Sequence, residues 1–124
     1  MANLIDLTVK NSVAVLTMNT AENRHNPAFL AEFNLHLDHI EADKSIHSVV
    51  LTSASDKSWS LGIDLEWMAN PSILPAAISD FMLQITQLLQ RIVTFPMPII
   101  AALNGHTYGN GAVLACACDF RFMK

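Results

Sequence analysis

Charged residues are scarce in this sequence, at 15% of 124 residues, compared with roughly 25% in an average soluble domain. Hydrophobic residues make up 52%. A chain of this length forms one domain at most, and a small self-sufficient domain is expected to be more polar because it exposes proportionally more surface. We therefore expect part of the apolar surface to be buried against a partner or against further sequence.

Basic residues, long apolar runs and cysteines are also few. Seven Lys and Arg against eleven Asp and Glu give a net charge of −4, which argues against nucleic-acid binding. The longest apolar runs, 99–103 and 112–118, are too short to cross a bilayer, and the first residues lack a secretory signal pattern. Cys116 and Cys118 are poorly spaced for a disulfide, and no Cys or His set predicts a metal site. These absences favour a soluble protein of a reducing compartment. We expect the cytoplasm, or the peroxisome or mitochondrion in a eukaryote.

Strands and helices alternate along the chain, which is typical of the α/β class. Alternation over 5–9 predicts a half-buried strand, and 13–18 predicts a second, more completely buried one after a turn at 11–12. Asn26 and Pro27 are typical of a helix start. The helix that follows ends near 43–45 and carries one apolar stripe: Phe29, Leu30, Phe33, Leu37 and Ile40.

The second half of the chain continues this alternation. The predicted segments are a buried strand 49–52, a polar loop 53–60, a helical turn 64–68, a long amphipathic helix 78–93, a buried strand 99–103, a glycine loop 104–111, a helix 112–118 apolar on every side, and the start of another buried strand at 120–123. A strand–loop–helix order occurs around 13–43, 48–68 and 99–118, which fits stacked repeating turns.

Two glycine-containing loops lead from a buried strand into a helix, at 59–65 and 104–112. A helix N-terminus presents unpaired N–H groups that bind phosphate, or an oxygen that becomes negative during a reaction. Two such loops that converge would make an oxyanion hole. Each loop could also be only a strand-to-helix turn, since glycine loops of this kind are common in α/β folds. The glycine spacing fits neither a P-loop nor the dinucleotide-binding fingerprint, so a nucleotide-binding half-domain is a weaker alternative.

Three separated segments resemble motifs of one protein family. Residues 58–65 (SWSLGIDL) resemble its F-S-x-G-x-D-L segment, and residues 96–106 (PMPIIAALNGH) resemble its K-P-x-I-A-A-x-N-G segment. Residues 109–112 (GNGA) and 118–121 (CDFR) resemble its G-G-G-x-x-L-x-x-x-C-D-x-R segment. The order and spacing also agree. The sequence thus resembles the enoyl-CoA hydratase/isomerase (crotonase) family over almost its whole length.

The resemblance implies an α/β spiral of ββα turns, with residues 1–124 as the N-terminal part of an acyl-CoA-binding domain. It also implies that two backbone N–H groups, those of Ile63 and Asn110, bind the thioester oxygen and stabilise an enolate. Coenzyme A is then part of the substrate, and no metal or other cofactor is implied. The residues implied to line the substrate are Arg24, Asn26, Ser60, Gly62, Asp64, Leu65, His106, Gly109 and Gly111.

Some of these residues also have ordinary structural explanations. Arg24 could offer its charge to the CoA phosphates or be an exposed loop cation. His106 could face the thioester or make a structural hydrogen bond. Asp64, at a helix start, is typical of a cap.

One departure from the family pattern bears on the reaction. Family hydratases carry a glutamate where this sequence has Val113, and a valine cannot transfer a proton. The resemblance therefore favours the 3,2-enoyl-CoA isomerase branch of fatty acid degradation, with its acid/base carboxylate beyond Lys124. A hydratase and a catalytically silent acyl-CoA-binding or assembly subunit remain as alternatives. We expect the chain to be a fragment of a longer protein, and the resemblance implies a homo-oligomer, a trimer or a dimer of trimers.

Overall fold

The computed structural model describes residues 3–124, and they form nine strands and four helices. Residues 1 and 2, the start of the segment without a signal pattern, lie outside the described residues. The strands are β1 (Ile5–Lys10), β2 (Val13–Met18), β3 (Arg24–His25), β4 (Ser48–Ser53), β5 (Ser58–Ser60), β6 (Gly62–Ile63), β7 (Ile99–Leu103), β8 (His106–Thr107) and β9 (Phe120–Met123). The helices are α1 (Pro27–Ala42), α2 (Leu65–Ala69), α3 (Pro75–Val93) and α4 (Asn110–Ala117).

The main sheet has five strands in the order β1-β2-β4-β7-β9. Only the β1–β2 pair is antiparallel, and the other pairs are parallel. Asn11 and Ser12, at φ 52° and 66°, form the predicted two-residue turn, because positive φ at both positions matches the twist of a tight hairpin. The predicted α/β class is confirmed.

Each turn of the chain adds one long strand to the main sheet, then one or two short strands, then one or two helices. The short strands pair across turns, β3 with β6 and β5 with β8, all parallel. The turns β2–β3–α1, β4–β5–β6–α2–α3 and β7–β8–α4 match the predicted repetition. The prediction of loops at 53–60 and 104–111 missed β5 and β8, and the sequence gives no signal for β3.

Helix α1 forms as its sequence predicts. The Asn26 side chain accepts a hydrogen bond from Phe29 N at 2.9 Å, and Pro27 occupies the first helical position, where its missing N–H costs nothing. The five residues of the predicted stripe are at most 2% exposed. They cover the core together with the main sheet and with the buried face of α3, which consists of Phe81, Ile85, Leu88 and Ile92.

Two segments are more exposed than the sequence predicts. Helix α4 was expected to be buried on every side, yet Val113 is 49% exposed and Cys116 is also exposed. Strand β9 was expected to be buried, yet Phe120 and Phe122 are 59% and 66% exposed. The reason is that α4 packs through one face only and β9 is an edge strand, paired on one side by β7.

Within residues 3–124, no helix combines the length and the apolar character that a membrane span requires.

The two leucines of α1 allow a matched test of the core. Leu37 is fully buried, whereas Leu35 is 54% exposed. We expect Leu37→Ala to lower the free energy of unfolding by about 2–5 kcal/mol, because it removes buried methyl groups and leaves a cavity. Leu35→Ala should change it by less than about 0.5 kcal/mol. Chemical denaturation of both variants checks this, and equal losses would contradict the burial of the stripe.

Candidate functional site

The two glycine loops meet backbone to backbone. Gly62 has φ of +92°, and a Cβ built on it would lie 3.0 Å from the backbone nitrogen of Asn110 and 3.0 Å from the carbonyl oxygen of Tyr108. Glycine is required on both counts, because other residues rarely adopt this conformation and a side chain would strike the second loop. The start of α4 therefore lies directly against β6.

A second glycine closes the same interface from the helix side. A Cβ on Gly111 would lie 2.4 Å from the carbonyl oxygen of Ser60, which is closer than atoms can approach. Tyr108 N donates to that same oxygen at 3.0 Å. The first turn of α4 is thus fixed against the backbone of β5 and β6, as the close approach of two peptide chains requires.

The backbone amides of Ile63 and Asn110 belong to the two segments that meet at this contact. Asp64 N donates to His25 O at 2.9 Å. Since consecutive amides of a strand point to opposite edges, the N–H of Ile63 points away from β3. The N–H of Asn110 starts α4 and makes no hydrogen bond to any described residue, while Gly111 N donates to Tyr108 O at 2.9 Å. The Asn110 N–H is therefore an unpaired donor at the junction of the two loops, and the Ile63 N–H faces away from the strand that pairs with β6.

A buried histidine connects the two loops. His25, in β3, is 1% exposed. Its Nδ1 lies 2.9 Å from the Asn110 side-chain amide nitrogen, and its Nε2 lies 3.0 Å from Ser60 Oγ. Its ring stacks on Phe29, with centroids 4.8 Å apart. No motif or spacing in the sequence marks this residue as functional.

The hydrogen bonds assign the proton on this ring. Ser60 Oγ donates to the carbonyl oxygen of Asn23 at 2.9 Å, so it accepts from His25 Nε2–H. An amide nitrogen can only donate, so Nδ1 accepts from Asn110. Burial lowers the pKa of His25 to about 4, because a charged ring would lose its hydration. The imidazole is therefore neutral near pH 7.

Four predicted substrate-binding residues line one cleft. The cleft has a volume of about 520 Å³, and its walls include Arg24, Asn26, Asp64 and Leu65. Asn26 Nδ2 donates to Asp64 Oδ2 at 3.0 Å, and Asp64 Oδ1 accepts from Trp67 N at 3.1 Å, as predicted for a helix cap. The polar side chains thus hold one another in place along the cleft wall.

Arg24 is partly committed to the backbone of the first loop. Its Nη1 donates to the carbonyl oxygens of Leu61 and Ile63, at 3.2 and 3.4 Å, and its Nε pairs with Glu22 at 3.2 Å. Its side chain is 34% exposed. The guanidinium Nη2 makes no hydrogen bond within residues 3–124, which leaves donors for an anion in the cleft.

Two further residues discussed above lie apart from this cleft. His106 is exposed, stacks on Tyr108 with centroids 5.5 Å apart, and lines a separate cleft of about 500 Å³ with Lys57 and Asn104. Val113 lies on α4, one turn beyond the Asn110 amide. His106 therefore lies in a different cleft from Arg24, Asn26, Asp64 and Leu65.

The remaining reactive groups form no cluster. Cys118 is buried, and this burial raises the pKa of its thiol to about 12, so it is a poor nucleophile. No group of three or more His, Cys, Asp or Glu residues among residues 3–124 is arranged to hold a metal ion. The chemistry that the described site offers is therefore that of its oriented backbone donors and its cleft.

Comparison with known proteins decides the family. The family model for enoyl-CoA hydratase/isomerase matches residues 8–124. The chain belongs to this family. This match confirms the family resemblance that the three sequence motifs indicate.

Family members similar to this chain are named for different activities, one for hydration and one for isomerisation. A putative enoyl-CoA hydratase of Thermus thermophilus is 36% identical over 117 residues, covering 92% of this chain and 46% of that protein. The mitochondrial enoyl-CoA delta isomerase 1 of Mus musculus is 36% identical over 94 residues, covering 76% of this chain and 32% of that protein. The chain thus spans about half the length, or less, of these curated relatives.

The fold is also that of the family. The crystal structure of an enoyl-CoA hydratase from Bacillus anthracis matches with a TM-score of 0.90 and 27% identity. The match covers 98% of this chain and 47% of that one. The predicted crotonase-like spiral is confirmed for the described residues.

The buried histidine gives a pH dependence that can be measured. Unfolded His25 binds a proton near its ordinary pKa of about 6.5, whereas the folded protein binds it only near pH 4. Neutral His25 therefore makes its full contribution to the free energy of unfolding above about pH 6.5. This contribution falls as the pH drops, and the loss approaches about 3 kcal/mol at pH 4.

Denaturation of the wild type and His25→Phe between pH 7.5 and 4 isolates this effect, because phenylalanine does not titrate. We expect the stability difference between the two proteins to shrink as the pH falls. A difference that stays constant across this range would mean that His25 is not held neutral.

Proposed function

We propose that the chain binds an acyl-CoA thioester, and that the N–H groups of Ile63 and Asn110 stabilise an enolate during 3,2-enoyl-CoA double-bond isomerisation. One observation carries this proposal: Gly62 and Gly111 bring the start of α4 against β6 with the Asn110 amide unpaired. Family membership supports an acyl-CoA substrate, and isomerisation is one of the two activities, hydratase and isomerase, that the names of the similar proteins give.

The reaction needs only a proton relay and charge stabilisation. A base removes a proton from C2 of a 3-enoyl thioester, and the electron pair moves onto the thioester oxygen. The two N–H groups hold this oxyanion, each contributing about 100- to 1000-fold in rate. The same acid returns the proton to C4, and the double bond moves from C3 to C2. These steps move only a proton and electron pairs of the substrate, so they require neither a metal nor a redox cofactor.

Val113 favours isomerisation over hydration. It lies at the position where family hydratases carry a glutamate, and its side chain is 49% exposed with no group that can transfer a proton. We propose that the acid/base carboxylate comes from the part of the family domain that follows the matched residues. The same remainder of the domain would complete the acyl pocket and the proposed homo-oligomer.

The cleft beside Arg24 supports binding of the CoA part. Its Nη2 is free of hydrogen bonds among the described residues, and the Asn26–Asp64 pair keeps the neighbouring wall in one conformation. A guanidinium with free donors binds phosphate oxygens well. We propose that the CoA phosphates or their ribose lie along this cleft, with the thioester at the loop junction.

A second candidate function is a catalytically silent acyl-CoA-binding or assembly subunit. The observation that favours it is again Val113, since the position where family hydratases carry a glutamate has no group that can transfer a proton. Such a protein would bind acyl-CoA through the same two amides without turnover.

Turnover of defined substrates tests the proposed reaction. We expect the full-length gene product to convert 3-enoyl-CoA to 2-enoyl-CoA, and to hydrate 2-enoyl-CoA at a much lower rate. Product analysis by chromatography distinguishes the two reactions. Calorimetric binding of acyl-CoA without turnover would support the silent subunit instead, and neither binding nor turnover would contradict both candidates.

Substitution of Val113 tests why this branch is favoured. We expect Val113→Glu to raise the ratio of hydration to isomerisation by at least about 10-fold, because a carboxylate there can act as a general base. Val113→Gln has nearly the same shape but no base, so its ratio should stay at the wild-type value. An equal rise in both variants would show that polarity, not proton transfer, is responsible.

A further inference from the structure

We propose that His25 is a positioning residue for the oxyanion-binding amides, because it is hydrogen-bonded to both segments that carry them. This inference rests on the proposed function, since the placement of the two amides affects turnover only if they bind a reacting oxygen. His25 itself is buried and does not need to contact the substrate.

The backbone of His25 orients the first amide. His25 in β3 is aligned with Ile63 in β6, and its carbonyl oxygen accepts a hydrogen bond from Asp64 N at 2.9 Å. This bond fixes the peptide that follows Ile63. It thereby directs the N–H of Ile63 to the edge of β6 that faces away from β3, and the start of α4 contacts the same short strand at Gly62.

The side chain of the same residue holds the second amide. Its Nδ1 accepts a hydrogen bond at 2.9 Å from the side chain of Asn110, a residue 85 positions away in sequence. Asn110 is the first residue of α4, and its own backbone N–H is the second donor. A hydrogen bond to its side chain therefore limits the movement of that donor relative to β6.

The imidazole has little freedom to move. Ser60 Oγ accepts a hydrogen bond from its Nε2–H, with 3.0 Å between oxygen and nitrogen. Phe29 covers one face of the ring, with centroids 4.8 Å apart. Ser60 also belongs to the strand that precedes Gly62. Its carbonyl oxygen lies so close to Gly111 that a Cβ there would collide with it. The ring is thus held by α4 through Asn110, by β5 through Ser60 and by α1 through Phe29.

Removal of this bond should affect the transition state more than the ground state. Negative charge on the thioester oxygen develops only as the reaction proceeds, so misplaced donors lower kcat more than they raise KM. Misplacement by about 1 Å can cost on the order of 100-fold. We expect His25→Phe, which keeps the stacking on Phe29, to lower kcat by about 10- to 100-fold and to change KM by less than about 2-fold.

A double-mutant cycle with Asn110→Ala in the full-length gene product tests the connection. If the two side chains act through one hydrogen bond, the double variant should lose no more kcat than the more impaired single variant, within about 2-fold. His36→Phe is the matched control: His36 Nε2 contacts the carbonyl oxygen of Ile5 in β1 at 2.8 Å, and among the described residues His36 makes no side-chain hydrogen bond to either glycine loop. We expect this control to keep the wild-type kcat.

A spectroscopic readout keeps the test independent of turnover. Nitrogen NMR of wild-type His25 should show a protonated Nε2 and an unprotonated Nδ1, and His25→Phe should shift the backbone amide signals of Ile63 and Asn110 more than His36→Phe does. If His25→Phe does not fold, the amide shift of Ile63 in Asn110→Ala is compared with that in His36→Phe instead.

The outcomes separate this inference from the proposed function. If the wild type shows no turnover but His25→Phe shifts the amide signals of Ile63 and Asn110, the proposed reaction is wrong. The contact between His25 and the amides is then still supported. An active wild type for which Asn110→Ala and His25→Phe keep kcat, or lose it additively, overturns the positioning role. Loss of kcat in the His36→Phe control to the same extent would also overturn it, because the effect would then be general destabilisation.

Discussion

The close approach of two backbones, one in β6 and one at the start of α4, is the constraint on which the site depends. A single added methyl group at Gly62 or Gly111 would collide with the facing main chain, at 3.0 and 2.4 Å. The distance between the loops is thus set by main-chain atoms, which vary little in position. A site built from backbone amides gains pre-organisation from this contact, because its donors need no rearrangement when charge develops.

Backbone donors also explain why motif resemblance and side-chain identity diverge here. The two proposed donor positions carry an isoleucine and an asparagine, and neither side chain has to donate anything to the substrate. What must be preserved is the glycine beside each donor and the strand–loop–helix geometry around it. The side chains are then free to take structural roles, and Asn110 uses this freedom to reach His25.

The sequence predicts the long elements well because each carries many repeats of one signal. Helix α1 has a cap, a first-turn proline and five stripe residues, and all appear as expected. Strands β3, β5 and β8 have two or three residues each, too few for any periodicity to show. Their pairing is long-range, so only the folded chain reveals it. The exposure of α4 and β9 was missed for a related reason, because apolar composition indicates what can be buried but not which neighbour is present.

His25 was missed because a histidine in a polar stretch looks like a loop residue. Its burial follows from tertiary contacts with Ser60 and Asn110, 35 and 85 residues away. A buried imidazole with both nitrogens satisfied is tolerated only when neutral, so its pKa falls and its tautomer is fixed by its partners. The same bonds that make burial acceptable also tie β3, β5 and α4 into one unit. In this chain the thermodynamic requirement to satisfy a buried polar group and the geometric requirement to hold two amides together are therefore met by one side chain.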